Sequence, residues 1–199
     1  MTLLEKSDAD LLMKQLEVVR ISSGIIRNHT TMVSNGSAYS NGAHIGNCIQ
    51  LLLLVLPTAS PALIRHTVFH DYPEFVTGDI VGDAKVKFPE LKAVVDIIEE
   101  KIDKEFIILD GYDMNEAEQK FLKALDRLEL YIWCLEQYQL GCRSPRFMKM
   151  VDRLEIAVVD FINAGSKIAK GDDDLISIDE GFKKLGVIYR RTYESFFDI

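Results

Sequence analysis

The chain has no run of about 18 uninterrupted apolar residues, the shortest that reads as a membrane span. Its longest apolar stretch, Ile49 to Pro57, is broken by Gln50, so a membrane protein is not expected. The first residues, Met-Thr-Leu-Leu-Glu-Lys-Ser-Asp, lack the basic-then-apolar order of a secretory signal, and a cytoplasmic location is expected. Cysteine is scarce: Cys48, Cys134 and Cys142 are odd in number and widely spaced, which argues against a disulfide framework or a zinc knuckle. The first two read as buried small hydrophobes. Positive charge is in deficit, with 23 Lys and Arg against 31 Asp and Glu, a net charge of −8 and a pI near 5.0. That balance does not suit a protein holding long nucleic acid through its phosphates. A small phosphorylated ligand needs only a few local cations and stays open.

Strand-like alternation is also missing. The 48% hydrophobic content over 199 residues is enough for one sizeable core and favours one domain over two, and its spacing is helical nearly throughout. An all-α fold is therefore expected. Ser7 is placed to cap a helix running to about Arg20, with Leu11, Leu12, Gln15-Leu16 and Val19 on its apolar face. Residues 22–42, rich in Ser, Asn, Gly and Thr, read as a long loop of the kind that often carries function. Helices follow over about Ala43 to Leu56, and from Ser60-Pro61 with Ser as cap and Pro in the first turn. Residues 77–88 read as loop. Further helices are expected from Pro89 to about Phe106, from Asn115 to Leu140 with Gly141 as a left-handed cap, from Ser144-Pro145 to about Asn163, and from Ser177 or Asp179 onward. Gly171-Asp-Asp-Asp174 lacks the glycine and later acidic positions of an EF-hand loop and reads as a solvated turn.

The chemistry starts from His70-Asp71. An adjacent imidazole and carboxylate can grip one borderline divalent metal such as Zn, Mn, Co or Fe, yet a lone His-Asp pair is a weak signal. His44, at the start of the second helix, and Asp126, deep in an apolar helix, extend it to four possible ligands. Convergence of such distant residues is how helical bundles build metal sites. Asp126, bordered by Leu125 and Leu128, is buried comfortably only if paired or coordinated; the competing reading pairs it with Arg127 or Lys123 on a solvated face. His44 taken alone reads rather as a helix-start residue satisfied by backbone. His66 reads as structural, and His29 as an exposed loop residue.

Two strings carry a family resemblance: His70-Asp-Tyr-Pro-Glu74-Phe-Val-Thr-Gly-Asp79 with Lys85 following, and Asp126-Arg-Leu-Glu-Leu-Tyr-Ile-Trp-Cys-Leu-Glu136. With them the chain resembles the HD-domain metal-dependent phosphohydrolases, most of all the small 5′-deoxynucleotidases and the phage deoxynucleotide (dATP) triphosphohydrolases, over roughly residues 24–143. The resemblance implies a single-domain helical HD bundle over residues 1–199, with its metal-site core in about 24–143 and C-terminal helices in 145–199. It also implies hydrolysis of the 5′-phosphoester of 2′-deoxynucleotides, releasing the deoxynucleoside with phosphate or triphosphate. His44, His70, Asp71 and Asp126 would hold a divalent metal (Zn, Co, Mn or Mg), and Glu74 would be the acid–base residue. Asp79 would handle the sugar or the attacking water, Arg27 the phosphate, and Lys85 the phosphate chain.

The chain departs from the family at Asn28, where an aromatic residue commonly packs on the deoxyribose, and in a longer stretch before His44. Asn28 is thus expected at the substrate, and Tyr39, Asn41 or Met32 at the base. Self-association is implied too, with Phe161, Phe182, Tyr189 and Phe196-Phe197 as surface, against the alternative that they complete the core. The rival function is a catalytically inactive HD-fold protein that binds nucleotides or acts as a scaffold.

Overall fold

The computed structural model describes residues 6–27, 33, 38–170 and 175–197. Helices account for nearly all of them: α1 (Lys6–Gly24), α2 (Asn41–Val55), α3 (Pro61–Phe69), α4 (Glu74–Thr77), α5 (Gly82–Lys87), α6 (Pro89–Phe106), α7 (Glu116–Gln139), α8 (Pro145–Ala169) and α9 (Ile176–Phe197). Among the described residues there is no strand, only an isolated antiparallel bridge between Ile26 and Ser40. The all-α expectation holds.

Several helix ends follow from local chemistry. Ser40, Ser60 and Ser144 each cap the helix that follows by accepting a backbone N–H from the third residue on, the ordinary use of a serine at that position. Asn115 and Glu118 form a reciprocal capping box at the start of α7, which satisfies two backbone donors that would otherwise be unpaired. Gly141 adopts a φ of +96° just past its end, as expected of a left-handed terminator.

Other boundaries move. Helix α1 takes in Ser7 and runs four residues past Arg20, and Leu12 and Leu16 are about half exposed, 54% and 50%. Its inward face is Val18 and Ser22 with the half-buried Leu11, Gln15 and Val19, so the apolar stripe is rotated from the one expected. Part of the 77–88 stretch is helical as α5, because Gly82 to Lys87 can close one and a half turns even though the segment is polar. Helix α8 continues six residues past Asn163, and α9 starts one residue before Ser177.

Helix α7 is the axis of the molecule. It packs on α2, α3, α8 and α9, and its residues Phe121, Leu125, Leu128, Tyr131 and Leu135 are fully buried. Phe182, offered above as possible association surface, is fully buried against Phe121 with ring centroids 4.9 Å apart. Phe161, Tyr189 and Phe196 pack half-buried against the same core. A smaller cluster of Val18, Tyr72, Ile102, Phe106 and Ile108 joins α1 and α6 to the segment after α3. Cys48, Cys134 and Cys142 are all buried and unbridged.

Helix α8 meets α9 tightly at Gly165, where an added Cβ would collide with the Phe182 ring. Gly165→Ala is expected to destabilise the fold by about 1–3 kcal/mol, the usual cost of overfilling a packed core. Thermal unfolding should register this as a drop of roughly 2–4 °C per kcal/mol for a chain of this size; an unchanged Tm would mean that α8 and α9 are not packed this way.

Candidate metal centre and active-site cavity

The chain enters the site through a narrow ribbon. The Arg27 N–H donates to the Tyr39 carbonyl at 2.9 Å and the Asn41 N–H to the Ile25 carbonyl at 2.9 Å, so the ends of the 28–37 stretch are tied together. This brings Arg27, Tyr39 and Asn41 to the start of α2, one turn from His44. Asn28, Met32 and His29 lie outside the described residues.

Four donor atoms converge there. His44 Nε2 lies 3.1 Å from Asp126 Oδ1, 3.3 Å from His70 Nε2 and 4.0 Å from Asp71 Oδ2. His70 Nε2 is 3.4 Å from Asp71 Oδ2. Ligands bound at about 2.0–2.2 Å to one small dication sit at about these mutual spacings. His44, His70 and Asp126 group within 4.8 Å as atoms able to hold a metal ion. The donors come from α2, from His70 and Asp71 in the turn just past the end of α3, and from the middle of α7. His44 is wholly buried and ringed by side chains, which removes the alternative that it is satisfied by backbone at a helix start. His66 Nε2–H donates to the Tyr112 carbonyl, 2.7 Å away, in keeping with a structural part.

The electrostatics are those of a cation site. Burial acts against charge on Asp126, but Arg127, His44 and His70 hold its carboxyl well below the usual range. Burial likewise opposes ionisation of Asp71, and His70 and Arg27 outweigh it. Burial would also strip the proton from His44, yet its hydrogen bonds to Asp126, Cys48 and Glu129 hold the ring protonated well above the normal imidazole value. The carboxylates thus gather positive charge, which a bound dication would replace. The pairing of Asp126 with Arg127, at 3.8 Å, coexists with its contact to His44.

Beside the donors, Arg27 Nη1 donates to Asp71 Oδ2 at 2.6 Å. Burial disfavours the charged guanidinium, but Asp71, Asp126, Glu74 and Asp79 together hold it more firmly protonated than usual. Glu74 opens α4 and receives the Asn41 Nδ2–H on Oε2 at 2.5 Å. Arg27, His70, Asp71, Glu74, Asp79, Lys85 and Asp126 all line one cavity of about 600 Å³. Lys85 Nζ stands 3.9 Å from Glu99 across it. Its far wall brings residues that the sequence did not single out as ligand contacts: Lys92 of α6, Lys123 and Arg127 of α7, and Arg146 and Arg153 of α8. Their signal was weak, because basic residues on helix surfaces are ordinary and only the packing of α8 on α7 turns these into a wall.

Tyr39 and Asn41, expected at the base, are not among the residues lining the cavity. Asn41 is buried on Glu74, and the Tyr39 hydroxyl donates to Glu129, its ring stacked on Trp133 at 5.0 Å. Glu129 was overlooked in the sequence. It sits three residues after Asp126, hence on the same face of α7, and a buried carboxylate one turn from a ligand is a signal available from spacing alone.

Together, a helical bundle and an inward set of two imidazoles and two carboxylates define the HD-domain class of metal-dependent phosphohydrolases. The sequence model of the family described as 5′-deoxynucleotidase YfbR-like matches residues 57–164, and the chain belongs to that family. It is accordingly a metal-dependent phosphohydrolase acting on deoxynucleotides. No curated protein and no solved structure matches the chain. The matched span contains His70, Asp71, Glu74 and Asp126, while Arg27 and His44 lie before it and reach the cluster only through the fold.

Proposed function

We propose that the chain, working as one domain, hydrolyses the 5′-phosphoester of a deoxynucleoside triphosphate, releasing the deoxynucleoside and tripolyphosphate. His44, His70, Asp71 and Asp126 would hold a divalent ion, for which their donor types and spacing are suited. When bound, that ion supplies a Lewis acid next to the phosphorus. Arg27, anchored on Asp71, has a planar fork suited to two phosphoryl oxygens, and Lys85 offers a point charge further along. Glu74 is within reach of the same space and carries the proton chemistry: it accepts a proton from the attacking water or delivers one to the leaving 5′-oxygen. Asp79, which lines the same cavity, would hold the sugar or the water.

One observation carries the preference for a triphosphate over a monophosphate. The cavity wall beyond the ligand cluster holds Lys85, Lys92, Lys123, Arg127, Arg146 and Arg153, in a protein whose net charge is −8. The same lining holds the carboxylates Asp71, Glu74, Asp79, Glu99 and Asp126; with Asp71 and Asp126 taken up by the ion, cations outnumber anions there, and such an excess concentrates anionic ligands. That many cations exceeds what a single phosphate requires and suits a chain of them. The products formed from the four dNMPs and four dNTPs, with ribonucleotides as controls, test this reading. Deoxynucleoside plus tripolyphosphate from a dNTP is the expected result. Phosphate released from dNMPs alone would assign a monophosphatase. Binding without any release would favour an inactive, nucleotide-binding HD protein. Self-association, implied by the resemblance, would use faces other than Phe182.

A further inference from the structure

We propose that Glu129 and Tyr39 are positioning residues for the metal centre: they fix the tautomer and orientation of His44 and thereby set the affinity for the ion. The proposal rests on the reading of His44 as a metal ligand. An imidazole that binds through Nε2 must carry its proton on Nδ1, and which nitrogen is protonated is decided by the hydrogen bond the other one makes. Here that partner is the Glu129 carboxylate, whose Oε2 faces His44 Nδ1.

Glu129 is itself held in place. Its second oxygen, Oε1, accepts the Tyr39 hydroxyl and, at 2.9 Å, an Asn47 Nδ2–H. The carboxylate is 5% exposed and His44 is fully buried, so three donors from two elements converge on one buried anion. A buried anion persists when it is fully hydrogen-bonded. Tyr39 is in turn clamped flat against Trp133, with ring planes 14° apart. Asp126, Glu129 and Trp133 fall on successive turns of α7, so a single helix face supplies a ligand, the group that orients a second ligand, and the platform for the tyrosine. Partners of this kind behind a metal-bound histidine typically contribute about 10- to 100-fold in metal affinity.

The test measures binding of Co²⁺ alone to metal-free protein, by competition with a chelator and by the visible spectrum of the bound ion. Glu129→Gln preserves volume but offers a weaker acceptor and places an amide N–H against donors. It is expected to weaken Co²⁺ binding by about 10- to 100-fold and to shift the Co²⁺ spectrum, with helix content unchanged. Tyr39→Phe leaves the Glu129–His44 contact and should weaken binding by a smaller factor, about 2- to 10-fold for one lost hydrogen bond. Unchanged Co²⁺ affinity and spectrum in folded Glu129→Gln would overturn the proposal. Asp126→Ala serves as the control: loss of Co²⁺ there with full binding in Glu129→Gln sinks the positioning role alone, whereas Co²⁺ retained in Asp126→Ala sinks the metal centre itself.

Discussion

Replacing Asp126 by alanine is expected to empty the metal site and reduce deoxynucleotide hydrolysis by at least about a thousandfold, the scale of losing several kcal/mol of charge stabilisation at the reacting phosphate. Asp126 Oδ1 lies 3.1 Å from His44 Nε2, whereas Glu129, the other α7 carboxylate on this ring, is bonded to the opposite nitrogen, Nδ1. Without it, His44 and His70 face each other at 3.3 Å with one fewer anion to balance an ion. Asp71→Ala should do the same and also leave Arg27 without its 2.6 Å partner. Metal content by elemental analysis and product release on the same preparations form the measurement. Asp126→Asn, which keeps the volume in the core, separates loss of charge from loss of packing. Activity surviving in both aspartate variants would refute the ligand assignment.

The second large effect is at Glu74. Glu74→Ala and Glu74→Gln are both expected to keep the metal and lose about 10²- to 10⁴-fold in turnover, the range for a positioned proton-transfer group. Burial first, and then the charge of Asp71, push its carboxyl up to about 7, while the Asn41 hydrogen bond pulls the other way. An acid raised in this way is protonated below that value and ionised above it. If the ionised form accepts the proton of water, activity climbs as pH rises through the Glu74 transition. If the neutral form protonates the leaving oxygen, activity falls over the same interval. A bound dication favours the ionised form and moves the transition to lower pH. The limb of the profile that disappears in Glu74→Gln identifies the role; a Gln variant with full activity would remove Glu74 from the chemistry.

Much of the helical frame could be read from particular residues. Ser60-Pro61, Pro89, Asn115 with Glu118, Gly141 and Ser144-Pro145 punctuate the chain by local chemistry, and the structure places helix ends at each of them. Helix α5 was not legible, because six residues with only Ala84 and Val86 apolar are too few to show a periodicity; it packs on the neighbouring α6. The face of α1 was misjudged because Leu12 and Leu16 look like core residues in sequence, whereas the packing against α6 and the Tyr72 region selects Val18. For the site, the His-Asp string and the apolar setting of Asp126 pointed to a metal centre. Glu129 and the basic wall of α7 and α8 were hidden for the same reason: charged residues are ordinary on a helix surface, and only the packing shows that these face the site.

Helix α7 is both the structural axis and the bearer of Asp126, which sits between the fully buried Leu125 and Leu128. An ion bound only by the folded chain adds its binding free energy to folding, and with Asp126 as a ligand it would do so at the centre of the core rather than on a peripheral loop. On that ligand set, metal supply and shelf life would be coupled: a cell short of the ion would hold an enzyme that is both idle and easier to unfold, and so more exposed to proteolysis.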